Sequence, residues 1–354
     1  MKTRLLLLFG GRSGEYEVSL VSASAVLRHV PADKYDVTTV GITRDGKWYL
    51  YTGSYDAIQS GAWADDPSNL PCVVSADFGA RELIVFDSSV RRIPVDAAVA
   101  VIHGTQGEDG TLQGLFELAG IPLVGCTAET SAICMDKAAA KSMMTGAGIR
   151  CADGIDLSRV GWSRHQAELV AEAEAKLGYP MFVKPSRAGS SVGVSKVADR
   201  DALVCAVGLA FEWDYTVLVE KCIVGREIEC AILTAPDGTV TVSEPGEIDP
   251  GSEFYDYDTK YKNDTASYFI PARLTPALRD EVRATAKKAA RIFGIRGLSR
   301  VDFFVTDGGE VILNEINTMP GFTPISMYPQ LMAHGGLDFT SLVDALITEA
   351  IERQ

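Results

Sequence analysis

Histidine is scarce in this chain, at four residues in 354. No apolar stretch approaches the ~20 residues that a membrane-crossing helix needs, so no membrane span is expected. Positive charge is also short: 33 Lys and Arg stand against 47 Asp and Glu, a net charge of −14. That balance argues against broad contact with nucleic acid or an anionic membrane, which both call for basic surface. It still allows a small anion held by a local cluster of Lys and Arg. The seven cysteines are Cys72, Cys126, Cys134, Cys151, Cys205, Cys222 and Cys230; none forms a Cys-x-x-Cys pair. Neither a disulfide framework nor a zinc site is therefore expected, and reduced thiols in the cytoplasm are. The Walker A pattern Gly-x-x-x-x-Gly-Lys-Ser/Thr is missing too, and no internal repeat is visible.

What remains is ordinary globular composition: 47% hydrophobic, 23% charged, with 33 Gly and 15 Pro. The length suits two or three domains. Residues 5–9 follow a short basic start and imitate a signal peptide, but so brief a run reads better as a buried first strand. It leads through Gly10-Gly11 into a helix over 19–30, the opening of a βα unit. Strands at 36–42, 97–102 and 121–124 and a helix at 111–119 complete an α/β domain over 1–125, with a polar insertion and small hairpin at 48–93. A second unit, 126–212, holds a helix at 135–146, strands at 179–184 and 192–197, and a helix at 201–211. A third, 213–354, holds strands at 216–220 and 227–233, a polar aromatic-rich loop at 251–268, a helix at 277–293, a hairpin at 300–317 and a last helix at 341–353.

The hairpin carries the most chemistry. Asp307-Gly308-Gly309-Glu310 is a strong turn signal, and a two-residue Gly308-Gly309 loop sets Asp302 opposite Glu315 and Arg300 opposite Asn317. Alternation puts these four on one face and Val301, Phe303, Val305, Ile312 and Ile316 on the other, the core face. Opposed carboxylates repel. A hard cation held by oxygen ligands resolves this, and Asp, Glu and Asn are magnesium-type ligands; acids merely facing solvent beside Arg300 are the plainer alternative.

Lys184-Pro-Ser-Arg-Ala-Gly-Ser-Ser-Val-Gly193 joins two strands. Small residues let backbone approach a ligand and surround phosphate oxygens, with Lys184 adding charge and Lys137 offering a second contact. Glu220-Lys221 ends one strand and Glu227 begins the next, a place where backbone can read a base edge and a carboxylate can hold ribose hydroxyls. Alone, each of these reads as flexible turn or surface charge. Gly10-Gly11-Arg12-Ser13-Gly14-Glu15 and His103-Gly-Thr-Gln-Gly-Glu-Asp-Gly110 both follow strands, where open α/β sheets bind ligands, and Glu15 could hold an amine.

These stretches, with Met135-Asp136-Lys137, Phe254-Tyr-Asp-Tyr257, Lys260-Tyr261 and Asn314-Glu-Ile-Asn-Thr-Met-Pro-Gly321, run in the order found in D-alanine–D-alanine ligases of the ATP-grasp superfamily, which the chain resembles over nearly its whole length. The resemblance implies an α/β fold of three domains, with ATP between the second and third. It implies ATP-driven phosphorylation of one D-alanine, then attack by the amine of a second, giving the dipeptide of peptidoglycan. It assigns Lys137, Lys184, Ser190, Ser191, Glu220, Lys221, Glu227 and Lys260 to ATP. Two magnesium ions, or manganese, fall to Asp302, Glu315 and Asn317. Arg300 and the Gly321 N–H would stabilise the oxyanion. Glu15 would hold the first D-alanine, linked to Ser190 and Tyr261, with His103, Ser326 and Met327 near substrate. Lys260 and Tyr261 would belong to a water-excluding lid. A cytoplasmic homodimer is expected.

Two positions depart from the family pattern. Ala188 stands where relatives often carry Glu or Gln, and Pro324 replaces a small polar residue. Lactate-using relatives lack a tyrosine at the position of Tyr261, and serine-using ones tend to carry Arg at that of Met327. This chain has the tyrosine and has Met rather than Arg at 327, so D-alanine is the expected second substrate. A D-alanine–D-serine or D-lactate ligase, as in vancomycin resistance, is the near alternative. Another ATP-grasp enzyme would leave Glu15 and the His103 loop unexplained, and a non-catalytic nucleotide-binding protein would not need the full set of acids and lysines.

Overall fold

The structure is a computed structural model and describes residues 1–189, 192–249, 251 and 267–353. Its first sheet is built around β1 (Thr3–Gly10), which α1 (Tyr16–His29) follows. β1 pairs in parallel with β2 (Tyr35–Ile42), and later with β7 (Ala97–Val101). Covered on both faces, its Leu5, Leu6, Leu7, Leu8 and Phe9 are sealed from solvent, which explains a continuous rather than alternating apolar run. The stretch expected as an insertion with one small hairpin does more. It supplies β3 (Trp48–Tyr51), α2 (Tyr55–Ser60), β4 (Leu70–Val74), β5 (Glu82–Val85) and β6 (Arg91–Pro94), antiparallel strands that extend the sheet in the order β6-β5-β4-β3-β2-β1-β7. Residues 121–124, expected as a strand, make only one parallel bridge, Leu123 to Ala98. Pro122 has no N–H to give a ladder.

After α3 (Thr111–Ala119) come two helices where one was expected, α4 (Ala128–Met135) and α5 (Lys137–Gly146). Asp136 separates them and caps α5, accepting the Ala139 N–H at 3.2 Å. The middle sheet contains β8 (Gly154–Ser158), β9 (Met181–Pro185) and β10 (Ser195–Val197), with helices α6 (Arg159–Leu177) and α7 (Arg200–Ala210). Its remaining strand is β11 (Thr216–Lys221), which pairs with β9 and β8 and so belongs here rather than opening the third unit. The order is β10-β9-β11-β8. Helix α6 escapes a pattern search because Val170, Ala173 and Leu177 are its only fully buried residues and it kinks at His165.

The third sheet contains β12 (Arg226–Thr234), β13 (Val240–Val242), β14 (Gly246–Asp249) and β15 (Ser267–Phe269). After α8 (Pro276–Ile292), whose Val282, Ala286, Ala289 and Ala290 face the core, come β16 (Leu298–Val305) and β17 (Val311–Asn317). The order is β15-β14-β12-β16-β17, with β13 on β12. Two helices, α9 (Met327–His334) and α10 (Phe339–Glu352), close the chain. Their Met327, Tyr328, Leu342 and Leu346 share one core with Leu7 and Phe9 of β1 and with Ala231 and Ile248 of the third sheet, fixing the first and third sheets together. Among the described residues no helix is long and apolar enough to cross a membrane.

Candidate active site

Register in the third sheet sets three acids in one row across neighbouring strands: Glu229 on β12 faces Asp302 on β16, which faces Glu315 on β17. Two residues along, on the same face, Arg300 faces Asn317. These pairings are the expected ones, reached by a different route. Thr306 donates its N–H to the Glu310 carbonyl at 3.1 Å, so Asp307, Gly308 and Gly309 form a three-residue loop. A bulge between Asp302 and Phe303 then restores the register. The cost to the expectation is local: Ile312 stands opposite Phe304, off the core face, and Val311 and Leu313 join Val301, Phe303, Val305 and Ile316 in the core.

Arg300 holds the row together. Its Nε and Nη2 donate to the two oxygens of Asp302 at 2.7 and 2.6 Å, and Nε lies 3.2 Å from a Glu229 oxygen. Burial alone would lower its affinity for a proton; Asp302 and Glu229 outweigh that and raise it well above the ordinary value. Asn317 Oδ1 accepts the Met319 N–H at 3.0 Å.

Facing this row are the lysines of the middle unit. Lys137 lies 3.5 Å from Glu315 and donates to the Ala188 carbonyl at 2.8 Å, so it ties the Gly/Ser loop to the acids. Lys184 lies 2.7 Å from one Glu220 oxygen, and Lys141 grips the other. Burial would push the Glu220 carboxyl up, but Lys184 and Lys141 hold it down at about 2. Lys221 and Glu227 line the same cleft.

From the first unit come Glu15 and His103. A Cβ at Gly104 would sit 2.6 Å from Glu15 Oε2 and one at Gly189 would sit 2.8 Å from it, so two loops lie directly against this carboxylate. Gly189→Ala should therefore displace Glu15. We expect KM for the first amino acid substrate to rise on the order of tenfold or more, with nucleotide affinity within about twofold, as steady-state kinetics and nucleotide titration would read. His103 is buried; its Nδ1 donates to the Met319 carbonyl at 2.9 Å and its Nε2 accepts from Ser22 Oγ at 3.2 Å. Burial lowers its basicity, favouring this neutral tautomer. Glu108 accepts the Gly104 N–H at 2.7 Å, and burial beside Glu15 raises its carboxyl well above the usual range.

Gly321, Ser326 and Met327 line the far side of the cleft. Ser326 Oγ accepts the Thr323 N–H at 3.2 Å. Met327 is mostly core: it is 6% exposed, and a Cβ on Gly246 would meet its sulfur at 2.7 Å. Ser190, Ser191, Lys260 and Tyr261 lie outside the described residues.

Most of these groups line one cleft of about 940 Å³, with Asp302 and Lys141 behind its wall; it is at the upper end for small-ligand sites and large enough for a nucleotide with a second substrate. The donor set Asp302, Glu315 and Asn317 is all oxygen and shares one face, which fits a hard cation. Among the described residues no group of three or more His, Cys, Asp or Glu forms a metal-holding cluster; the third oxygen donor of this set is an amide, that of Asn317. Sequence reasoning missed Lys141, Glu229 and Glu108. Lys141 follows Lys137 by one helical turn and Glu229 follows Glu227 on the same strand face, so both were within reach of spacing arguments.

Comparisons with known proteins identify a family. Residues 4–126 match the model for the D-ala D-ala ligase N-terminus and residues 143–348 that for the C-terminus. A D-alanine–D-alanine ligase of Caldicellulosiruptor bescii is 44% identical over 354 residues, covering 99% of this chain and 96% of the relative. D-alanine–D-alanine ligase A of Escherichia coli K12 is 43% identical, with 99% and 96% covered. Among solved structures, the VanG D-Ala:D-Ser ligase of Enterococcus faecalis superposes with a TM-score of 0.90 at 41% identity, covering 99% of this chain and all of that one. The ligase of Coxiella burnetii gives 0.85 at 34%, with 99% and 94% covered.

Proposed function

The chain belongs to the D-alanine–D-alanine ligase family, and from that premise we propose that it joins two D-alanines in an ATP-dependent, ADP-forming reaction that supplies the dipeptide of peptidoglycan. The observation that carries the site assignment is convergence: a carboxylate (Glu15), two lysines (Lys137, Lys184) and a buried guanidinium (Arg300) line one cleft.

We assign ATP to the space between the middle sheet, which includes β11, and the third sheet. Lys137 and Lys184 contact its phosphates, and Glu220, Lys221 and Glu227 sit at its base and ribose. Ser190, Ser191 and Lys260 belong to the same set by family resemblance. Glu15 holds the ammonium of the first D-alanine, so that its carboxylate oxygen attacks the γ-phosphorus as ADP leaves. The amine of the second D-alanine then attacks the acylphosphate carbonyl. Arg300 and the Gly321 N–H stabilise the oxyanion, and its collapse expels phosphate. Asp302, Glu315 and Asn317 would hold magnesium, or manganese, which supplies charge neutralisation on the transferred phosphoryl group when bound. Tyr261 and Lys260 are assigned to a loop that excludes water. A cytoplasmic homodimer is part of the same proposal.

Phosphate release measured in parallel with D-alanine, D-serine, D-lactate and no substrate tests it. Release should be strong with D-alanine and negligible with D-lactate. The D-serine reading has one observation behind it, the likeness to VanG. Against it, Met327 offers an added hydroxyl only a thioether, packed on Gly246. With D-alanine and D-serine at equal concentration, D-alanyl-D-alanine should dominate, by less than roughly a hundredfold because apolar pockets reject a hydroxyl only modestly. Mainly D-alanyl-D-serine would overturn the specificity and keep the ligase.

A further inference from the structure

Lys137, Lys184 and Glu220 line the cleft; Lys141 does not, yet it is buried against it. It projects from α5 one turn beyond Lys137 and ends on Glu220. Glu220 is 2% exposed and is divided: one oxygen belongs to Lys141, the other lies 2.7 Å from Lys184. A single carboxylate between two ammonium groups leaves one positive charge over, and only Lys184 has cleft surface on which to present it.

We propose that Lys141 is a positioning residue for the ligase reaction: by sharing Glu220 it leaves Lys184 charged and available to nucleotide phosphate. This rests on the cleft being the nucleotide site. Remove Lys141 and Glu220 collapses onto Lys184 alone. The pair becomes neutral, and the amine is held toward the strand instead of toward phosphate. Burial lowers the basicity of Lys141, and the Glu220 carboxylate in contact with it opposes that loss.

The test is a double-variant cycle in the full-length protein, read by calorimetric titration with ADP and magnesium. Lys141→Met should bind ADP roughly tenfold more weakly, and KM for ATP should rise more than kcat falls. With Glu220→Gln already present the carboxylate that Lys141 shares with Lys184 is gone, so adding Lys141→Met should change ADP affinity by no more than about twofold. Lys141→Arg, which keeps the charge, should restore most of the binding. Wild-type affinity in Lys141→Met, or an equal loss with and without Glu220, would overturn the proposal. Should Lys141→Met fail to fold, Lys141→Gln takes its place; if neither folds, Lys141 is a structural residue and the proposal falls. Failure of the unaltered protein to bind ADP would sink the nucleotide assignment itself.

Discussion

Glu315→Gln should fold as the unaltered protein does and lose roughly two to three orders of magnitude in kcat. Loss of one preorganised electrostatic group at a site of developing charge is worth about that much, and every tenfold is ~1.4 kcal/mol of barrier. The substitution keeps shape and one oxygen while removing the charge in the middle of the proposed cation site. Glu315 sits at the end of the carboxylate row, opposite Asp302 and 3.5 Å from Lys137. Its neutral replacement weakens the attraction for a divalent ion and frees Lys137 to move. Folding survives because Glu315 is only part-buried and the opposite face of β17 is held by Leu313 and Ile316 in the core. Steady-state rates across a magnesium series, alongside thermal unfolding, make the measurement. Near-normal turnover at low magnesium would remove Glu315 from the metal site.

The parts of this molecule that a sequence reveals are those written in local pattern. The apolar run of β1, the helix at 111–119 and the turn before Glu310 are continuous signals, and each corresponds to an element. Even there the agreement is partly fortuitous: a loop one residue longer than expected is cancelled by a bulge at Asn314, and the site register survives only because both occur. Membership of β11 was not legible, because its side chains suit either sheet and the choice is made by tertiary pairing with β8 and β9. Lys141 could be picked out by its i+4 spacing from Lys137, but its meeting with Glu220 and Lys184 joins α5, β11 and β9, and only tertiary packing brings these together. Met327 could be read as substrate wall or as core; the glycine at 246 that receives its sulfur decides mostly for core.

Arg300→Met should be the most damaging single change in the site, in stability as well as rate. The guanidinium is enclosed between Glu229 and Asp302, with 15% of its side chain exposed, and those acids are 9% and 14% exposed. Methionine fills much of the volume but leaves two adjacent carboxylates facing each other with Glu315 next in the row. Breaking a buried ion pair from one side costs about 3–5 kcal/mol, a large share of the ~5–15 kcal/mol that holds a typical domain together. The melting temperature should therefore fall by several degrees. Arg300→Lys separates stability from chemistry. A lysine keeps the positive charge, so most of the stability should return, but it cannot reproduce the two parallel bonds to Asp302 or hold a fixed donor toward the cleft. We expect Arg300→Lys to lose about 10²–10³ in kcat, with KM for ATP changed little because the proposed nucleotide contacts are Lys137 and Lys184. A methionine variant melting with the unaltered protein would mean that the acids do not depend on Arg300. A lysine variant with full turnover would mean that charge alone, without the guanidinium's fork, serves the oxyanion.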